Sequence, residues 1–195
     1  MYMIVIFALV ISLVSVSLYF IPMASDNQAR INNLMCRSIL QWSGKMEAVA
    51  AFLGPRMLGD SIHFPTVADA RTALGASSEA HFIATTLLYG GDLPLYARMQ
   101  HTAWSLEYAL TPYAEGYPTD LNFSQSANQI AGNLSQKIFN ITYLMEDSAI
   151  LNPNGTSPAE IFDMFNSTDQ IIGYCDAVIN YTVQLKDISV KFAYP

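Results

Sequence analysis

The chain has 195 residues, 52% hydrophobic and 13% charged, and nine Lys and Arg against sixteen Asp and Glu give it a net charge of −7. High hydrophobicity with few charges excludes a disordered chain, the acidic balance excludes a nucleic-acid binder with a broad basic face, and two cysteines are too few for a disulfide-built miniprotein. The length suits one domain with an appendage.

Met1 to Ser25 carries no charged side chain, and the first charge is Asp26. A helix needs about 20 apolar residues to cross the hydrocarbon core of a bilayer, and this segment supplies them. A cleaved signal peptide would have a basic start and a shorter apolar core, so residues 1–25 read as a retained hydrophobic stem and residues 26–195 as the domain it carries. Arg30, Arg37 and Lys45 all follow the apolar run, which by the positive-inside tendency would hold that domain in the cytoplasm.

Beyond the stem the period is helical almost throughout. Ile31, Met35, Ile39, Trp42, Met46, Val49 and Leu53 recur every three or four residues, and Gly54-Pro55 stops that helix. Residues 56–64 read as a loop. Thr66 with Asp69 forms a variant capping box for a helix containing Phe82, Ile83, Leu87 and Leu88, which ends at Gly90-Gly91. Asp92 and Pro94 open the next helix, with Leu95, Met99, Trp104, Tyr108 and Leu110 as its apolar members, and Pro112 and Gly116 to Pro118 close it. A long helix over 122–151 buries Phe123, Ala127, Ile130, Leu134, Ile138, Ile141 and Met145. The last helix opens at Ser157-Pro158, buries Ile161, Phe165, Ile172, Cys175 and Ile179, and runs to about Asp187, leaving a strand-like alternation over Ile188 to Tyr194. The expected fold is all-α: an N-terminal hydrophobic helix for membrane or filament core, followed by an extracytoplasmic helical bundle with near-parallel packing. The Met, Trp and Tyr residues are expected in the core.

Against the charge rule stand six Asn-x-Ser/Thr acceptors, at Asn122, Asn133, Asn140, Asn154, Asn166 and Asn180, from a total of eleven asparagines. One such motif is weak; six within about 60 residues is a strong signal for N-linked glycans. On helices, Asn133 and Asn140 share one stripe with Asn122, and Asn166 shares a face with Asn180, each away from the apolar stripe. This chemistry belongs to the eukaryotic secretory route or to archaea, and places the domain outside the cytoplasm.

Cys36 and Cys175 fall on the first and last helices of the domain. In an oxidising compartment they can pair, closing a loop of about 140 residues worth on the order of 4–5 kcal/mol in the chain-entropy model; otherwise they are two buried thiols. His63, His81 and His101 show no metal-ligand spacing, neither cysteine lies in Cys-x-x-Cys, and no nucleophile-elbow, dinucleotide or phosphate-loop motif occurs. The sequence therefore names no catalytic residue, cofactor or metal.

The stem, with Pro22 after an uninterrupted apolar run and Asp26, Ala29 and Arg30 in the polar turn that follows, resembles the N-terminal helix of mature type IV pilins over about 35 residues. It differs in carrying Val5 where bacterial major pilins usually have Glu, Met1 in place of Phe, and a helical rather than β-rich head. The resemblance implies a basic leader removed in maturation, which would dissolve the charge conflict. The expected function is a non-enzymatic surface subunit. Its residues 1–25 contact lipid or copies of itself in a filament, its head contacts other membrane or surface subunits, and it binds no nucleic acid. An extracytoplasmic ligand-binding sensor and an accessory subunit of a membrane enzyme are the alternatives.

Overall fold

The computed structural model describes residues 27, 30–58, 61–63, 65–90, 94–116, 125–150 and 167–193. Helix α1 occupies residues 30–53. A two-stranded antiparallel hairpin follows, β1 (Arg56–Leu58) and β2 (Ser61–His63), in the register Arg56 to His63, Met57 to Ile62 and Leu58 to Ser61. Four further helices lie among the described residues: α2 (Val67–Gly90), α3 (Pro94–Ala114), α4 (Gln125–Ile150) and α5 (Ser167–Ala193). Among the described residues the all-α expectation holds apart from this hairpin. The stem lies outside the described residues, as does the expected opening of the last helix at 157–166. Among the described residues, no helix is long and apolar enough to cross a membrane.

Local chemistry accounts for the helix ends. At the start of α2 the Thr66 amide donates to Asp69 Oδ2 (2.9 Å), the Thr66 hydroxyl donates to the same oxygen (2.7 Å), and the Asp69 amide donates to Thr66 Oγ1 (3.3 Å). This is a capping box closed by Asp, and Arg56 of β1 pairs with the same carboxylate. Pro94 is the first residue of α3, where its missing N–H costs nothing. At the other end α3 passes Pro112 and ends at Ala114; Gly116, expected with Pro112 to close the helix, follows with a φ of 91°, the left-handed conformation that suits glycine.

α2 and α3 run antiparallel: Arg71 Nε donates to the Ala114 carbonyl (2.8 Å), Ser78 and His81 meet Glu107, and Gln100 Nε2 donates to Thr85 Oγ1 (3.4 Å). α3 and α5 run parallel: Arg98 pairs with Asp176, Lys186 lies over the Tyr108 ring, and the Tyr113 hydroxyl donates to the Leu185 carbonyl (2.8 Å). α5 packs on α4 as well. α1 is tied to α2 by the Lys45–Glu79 pair and to α4 where Ser135 Oγ donates to the Ala50 carbonyl (2.8 Å).

The core is centred on Trp42, Met46 and Leu53 of α1, Leu95, Met99, Leu106 and Leu110 of α3, and Leu134, Ile138, Ile141 and Met145 of α4, all fully buried. The stripes expected for α1 and α4 are buried from Ile39 to Leu53 and at Ala127, Leu134, Ile138, Ile141 and Met145; Met35 and Ile130 are half-buried, Ile31 is exposed, and Phe123 lies outside the described residues. Four other expectations need correction. Where a loop was expected over 56–64, residues 56–58 and 61–63 pair as strands; in the sequence, Gly59-Asp60 between two apolar-containing runs is the signal for such a pair. The strand-like tail is the end of α5, because Leu185 and Ser189 continue the buried helical rhythm. The buried face of α5 is Ile171, Cys175, Val178, Thr182, Leu185 and Ser189, with Ile172 and Ile179 only half-buried. Finally, Phe82, Trp104 and Tyr108 are outside the core, at 74%, 48% and 53% exposure. Small side chains displace Phe82: α2 buries Ala70, Ala73, Ser77, Ala80, Ala84 and Leu87, a face that lets α3 approach closely.

Candidate functional site

The outward side of α3 carries His101, Trp104 and Tyr108 at a spacing of three and four, while Tyr96 and Tyr113 of the same helix are buried. The Trp104 and Tyr108 rings are parallel to within 5° with centroids 5.8 Å apart, and His101 lies 5.8 Å from Trp104, tilted by 35°. Lys186 of α5 places its ammonium 3.5 Å from the centre of the Tyr108 ring, a cation–π contact that holds the end of the row. The antiparallel register sets Phe82 of α2 level with Trp104. The result is a surface of large aromatic side chains spanning α2 and α3. It is the feature that sequence reasoning missed, because aromatic residues at helical spacing read as core.

Between these rings runs a polar seam. Glu107 accepts a hydrogen bond from Ser78 Oγ (3.2 Å) at one carboxylate oxygen and meets His81 Nδ1 (3.1 Å) at the other. The carboxylate thus stands between the serine and the histidine. His81 Nδ1 faces Glu107 instead of the Ser78 hydroxyl, so the seam clasps α2 to α3 and does not form the serine–histidine relay of a nucleophilic enzyme. His101 belongs to the aromatic row, and among the described residues no three His, Cys, Asp or Glu side chains converge to hold a metal ion.

Cys36 is half-buried on α1 and Cys175 is fully buried on α5, and both are free thiols. Each is sensed by a different turn of α3: Cys36 acts electrostatically on Tyr96, whereas Cys175 is hydrogen-bonded to Thr102. Burial raises the Cys36 thiol. It also pushes Cys175 up to about 12, with Asp176 adding to the shift and Thr102 and Arg98 opposing it. Both side chains are therefore thiols rather than thiolates at neutral pH and are poor nucleophiles.

Of the six acceptor asparagines, Asn122, Asn154 and Asn166 lie outside the described residues. Asn180 is exposed on α5, while Asn133 and Asn140 are half-buried on α4. An open depression of about 630 Å³ at the start of α4 is lined by Pro55, Gln125, Asn128, Gln129 and Gly132, which bring amides and apolar surface but no ionisable group. No protein-family model matches this chain, and no match was found among curated proteins or solved structures.

Proposed function

We propose that the chain is a non-enzymatic surface subunit. Residues 1–25 form a hydrophobic stem that sits in a bilayer or in the core of a pilin-like filament, and the helical head is displayed outside the cytoplasm with N-linked glycans. The observation that carries this reading is the 25-residue opening stretch without a single charge, followed by a head that packs its own core. Such a stem is apolar all round, so it needs lipid or several neighbouring helices rather than one face of the head. The exposed row of His101, Trp104 and Tyr108 with Phe82 supports a head that contacts other subunits.

The test is Val10→Asp in the full chain. A charge in mid-stem costs about 2.5–3.5 kcal/mol on the insertion scale, and the variant should leave the membrane or filament fraction. Detergent release of the wild type identifies a bilayer subunit, and shearing it from cells as sedimentable material identifies a filament. Unchanged assembly of Val10→Asp would overturn the stem, and intact mass showing every acceptor asparagine bare would overturn the extracytoplasmic head.

A further inference from the structure

Three of the acceptor motifs lie within described helices, and in each the helix splits the motif. Successive residues are about 100° apart around an α-helix, so an asparagine and the hydroxyl residue two positions on point to nearly opposite sides. The burial follows that geometry. Asn180 is exposed and Asn133 and Asn140 reach the surface in part, whereas Ser135, Thr142 and Thr182 are 5%, 3% and 2% exposed. Each hydroxyl is also occupied. Ser135 Oγ donates to the Ala50 carbonyl across the α1–α4 contact (2.8 Å), Thr142 Oγ1 to the Phe139 carbonyl (3.1 Å) and Thr182 Oγ1 to the Ile179 carbonyl (2.6 Å).

N-glycosylation joins the asparagine side-chain nitrogen to the anomeric carbon of a phosphate-activated oligosaccharide. The carbon–oxygen bond to the phosphate breaks, the lipid phosphate leaves, and the nitrogen gives up a proton. A transferase that reads Asn-x-Ser/Thr must hold the asparagine and the hydroxyl together in one cleft. An extended segment presents both on the same side, since residues two apart share a face; the helices seen here cannot. We infer that Asn133, Asn140 and Asn180 are modified only before the bundle forms, on the extended chain as it emerges from the membrane, and that folding then closes all three sites. This rests on the extracytoplasmic, glycosylated reading above. The folded head accommodates the product because the asparagines, unlike their partner hydroxyls, reach the surface.

The closures differ in kind. Thr142 and Thr182 are taken up by their own helices, so those sites close as soon as α4 and α5 form. Ser135 is bound by α1, so the site at Asn133 closes fully only when α1 docks on α4.

The experiment uses full-length chain made without glycans and purified folded in detergent. It is incubated with an oligosaccharyltransferase and a lipid-linked oligosaccharide, in parallel with synthetic peptides covering residues 125–150 and 167–193. Occupancy at each asparagine is read by glycopeptide mass spectrometry. The peptides should be modified at all three positions. The folded chain should react at least about a hundredfold more slowly there, because only transiently opened molecules are substrates. Comparable rates in folded chain and peptides would overturn the order of events. Peptides that accept no sugar would instead overturn the glycan reading on which the inference rests.

Discussion

Cys175 and Asp69 show how single side chains make the stability of this head depend on pH in opposite directions. Cys175 has an ordinary value of 9.0, raised in the fold to about 12 by burial, and burial likewise lifts Tyr96 from 10.0 to about 12. Both are neutral when protonated, so the folded state holds their protons more tightly than the unfolded chain does. Their contribution is fully present below pH 9 and is lost as pH rises through the window between the unfolded and folded values. Within it each group costs about 1.4 kcal/mol of stability per pH unit. Cys175→Ala should therefore lose stability more slowly than wild type between about pH 9 and 11 in urea titrations; parallel declines would show that the thiol is not buried as described. For Asp69, burial raises the carboxyl, but hydrogen bonds from the Thr66 hydroxyl and amide and the Arg56 guanidinium outweigh it, and the net shift is downward. That contribution is present above the unfolded carboxylate value and fades as pH falls through the folded one.

At the scale of the element, α1 and α4 were legible because an unbroken three-and-four run of large buried residues, Ile39 to Leu53 and Leu134 to Met145, outweighs the exposed Ile31, Leu34 and Leu40 of α1 and Phe139 and Tyr143 of α4. α2 was legible as a helix, from its Thr66–Asp69 cap and its glycine stop, but not as a face. Its core residues are alanine and serine with Leu87, and of the expected Phe82, Ile83, Leu87 and Leu88 only Leu87 is fully buried while Phe82 faces out. In α5, the adjacent pairs Ile171-Ile172 and Val178-Ile179 offer two apolar stripes one residue apart. Thr182 and Ser189 break the tie inward, and both satisfy their hydroxyls on their own backbone, at Ile179 and Lys186. Glycines reveal the same contrast between a packed and an open face. A Cβ on Gly54 would lie 2.7 Å from Ser135 Oγ and 3.3 Å from the Ala50 carbonyl, whereas Gly75 and Gly173 have nothing within 4 Å. Gly54→Ala should destabilise by about 1–3 kcal/mol through overpacking, with part of the loss recovered in a Ser135→Ala background. Gly75→Ala and Gly173→Ala should each stabilise by about 0.5–1 kcal/mol. Denaturant midpoints decide the matter: a neutral Gly54→Ala would mean that α1 and α4 are not in close contact at that point.

For the whole molecule, the pairing of helices was beyond the sequence, since periodicity gives each helix an inner face without saying which neighbour fills it. That is why the site was missed. Whether a tryptophan at helical spacing is core or surface depends on which helices flank it, and α3 is flanked by α2 and α5 in a way that turns Trp104 and Tyr108 outward. The two tryptophans of this chain now make opposite predictions. Trp42 is fully buried at the centre of the bundle, so Trp42→Ala should cost about 3–5 kcal/mol in denaturant unfolding. Trp104 and Tyr108 retain about half of their exposure, so Trp104→Ala and Tyr108→Ala should each stay within about 1 kcal/mol of wild type. If the aromatic row contacts other subunits, the same two variants should nevertheless lose assembly, measured as the fraction of full-length protein recovered in the membrane complex or sheared filament. A fold left intact with assembly impaired is the signature of an interaction surface, because the aromatic contacts are then made with a partner and not within the head. Normal assembly of the Trp104→Ala, Tyr108→Ala double variant would remove this face from the proposed function and leave the stem as its sole point of association.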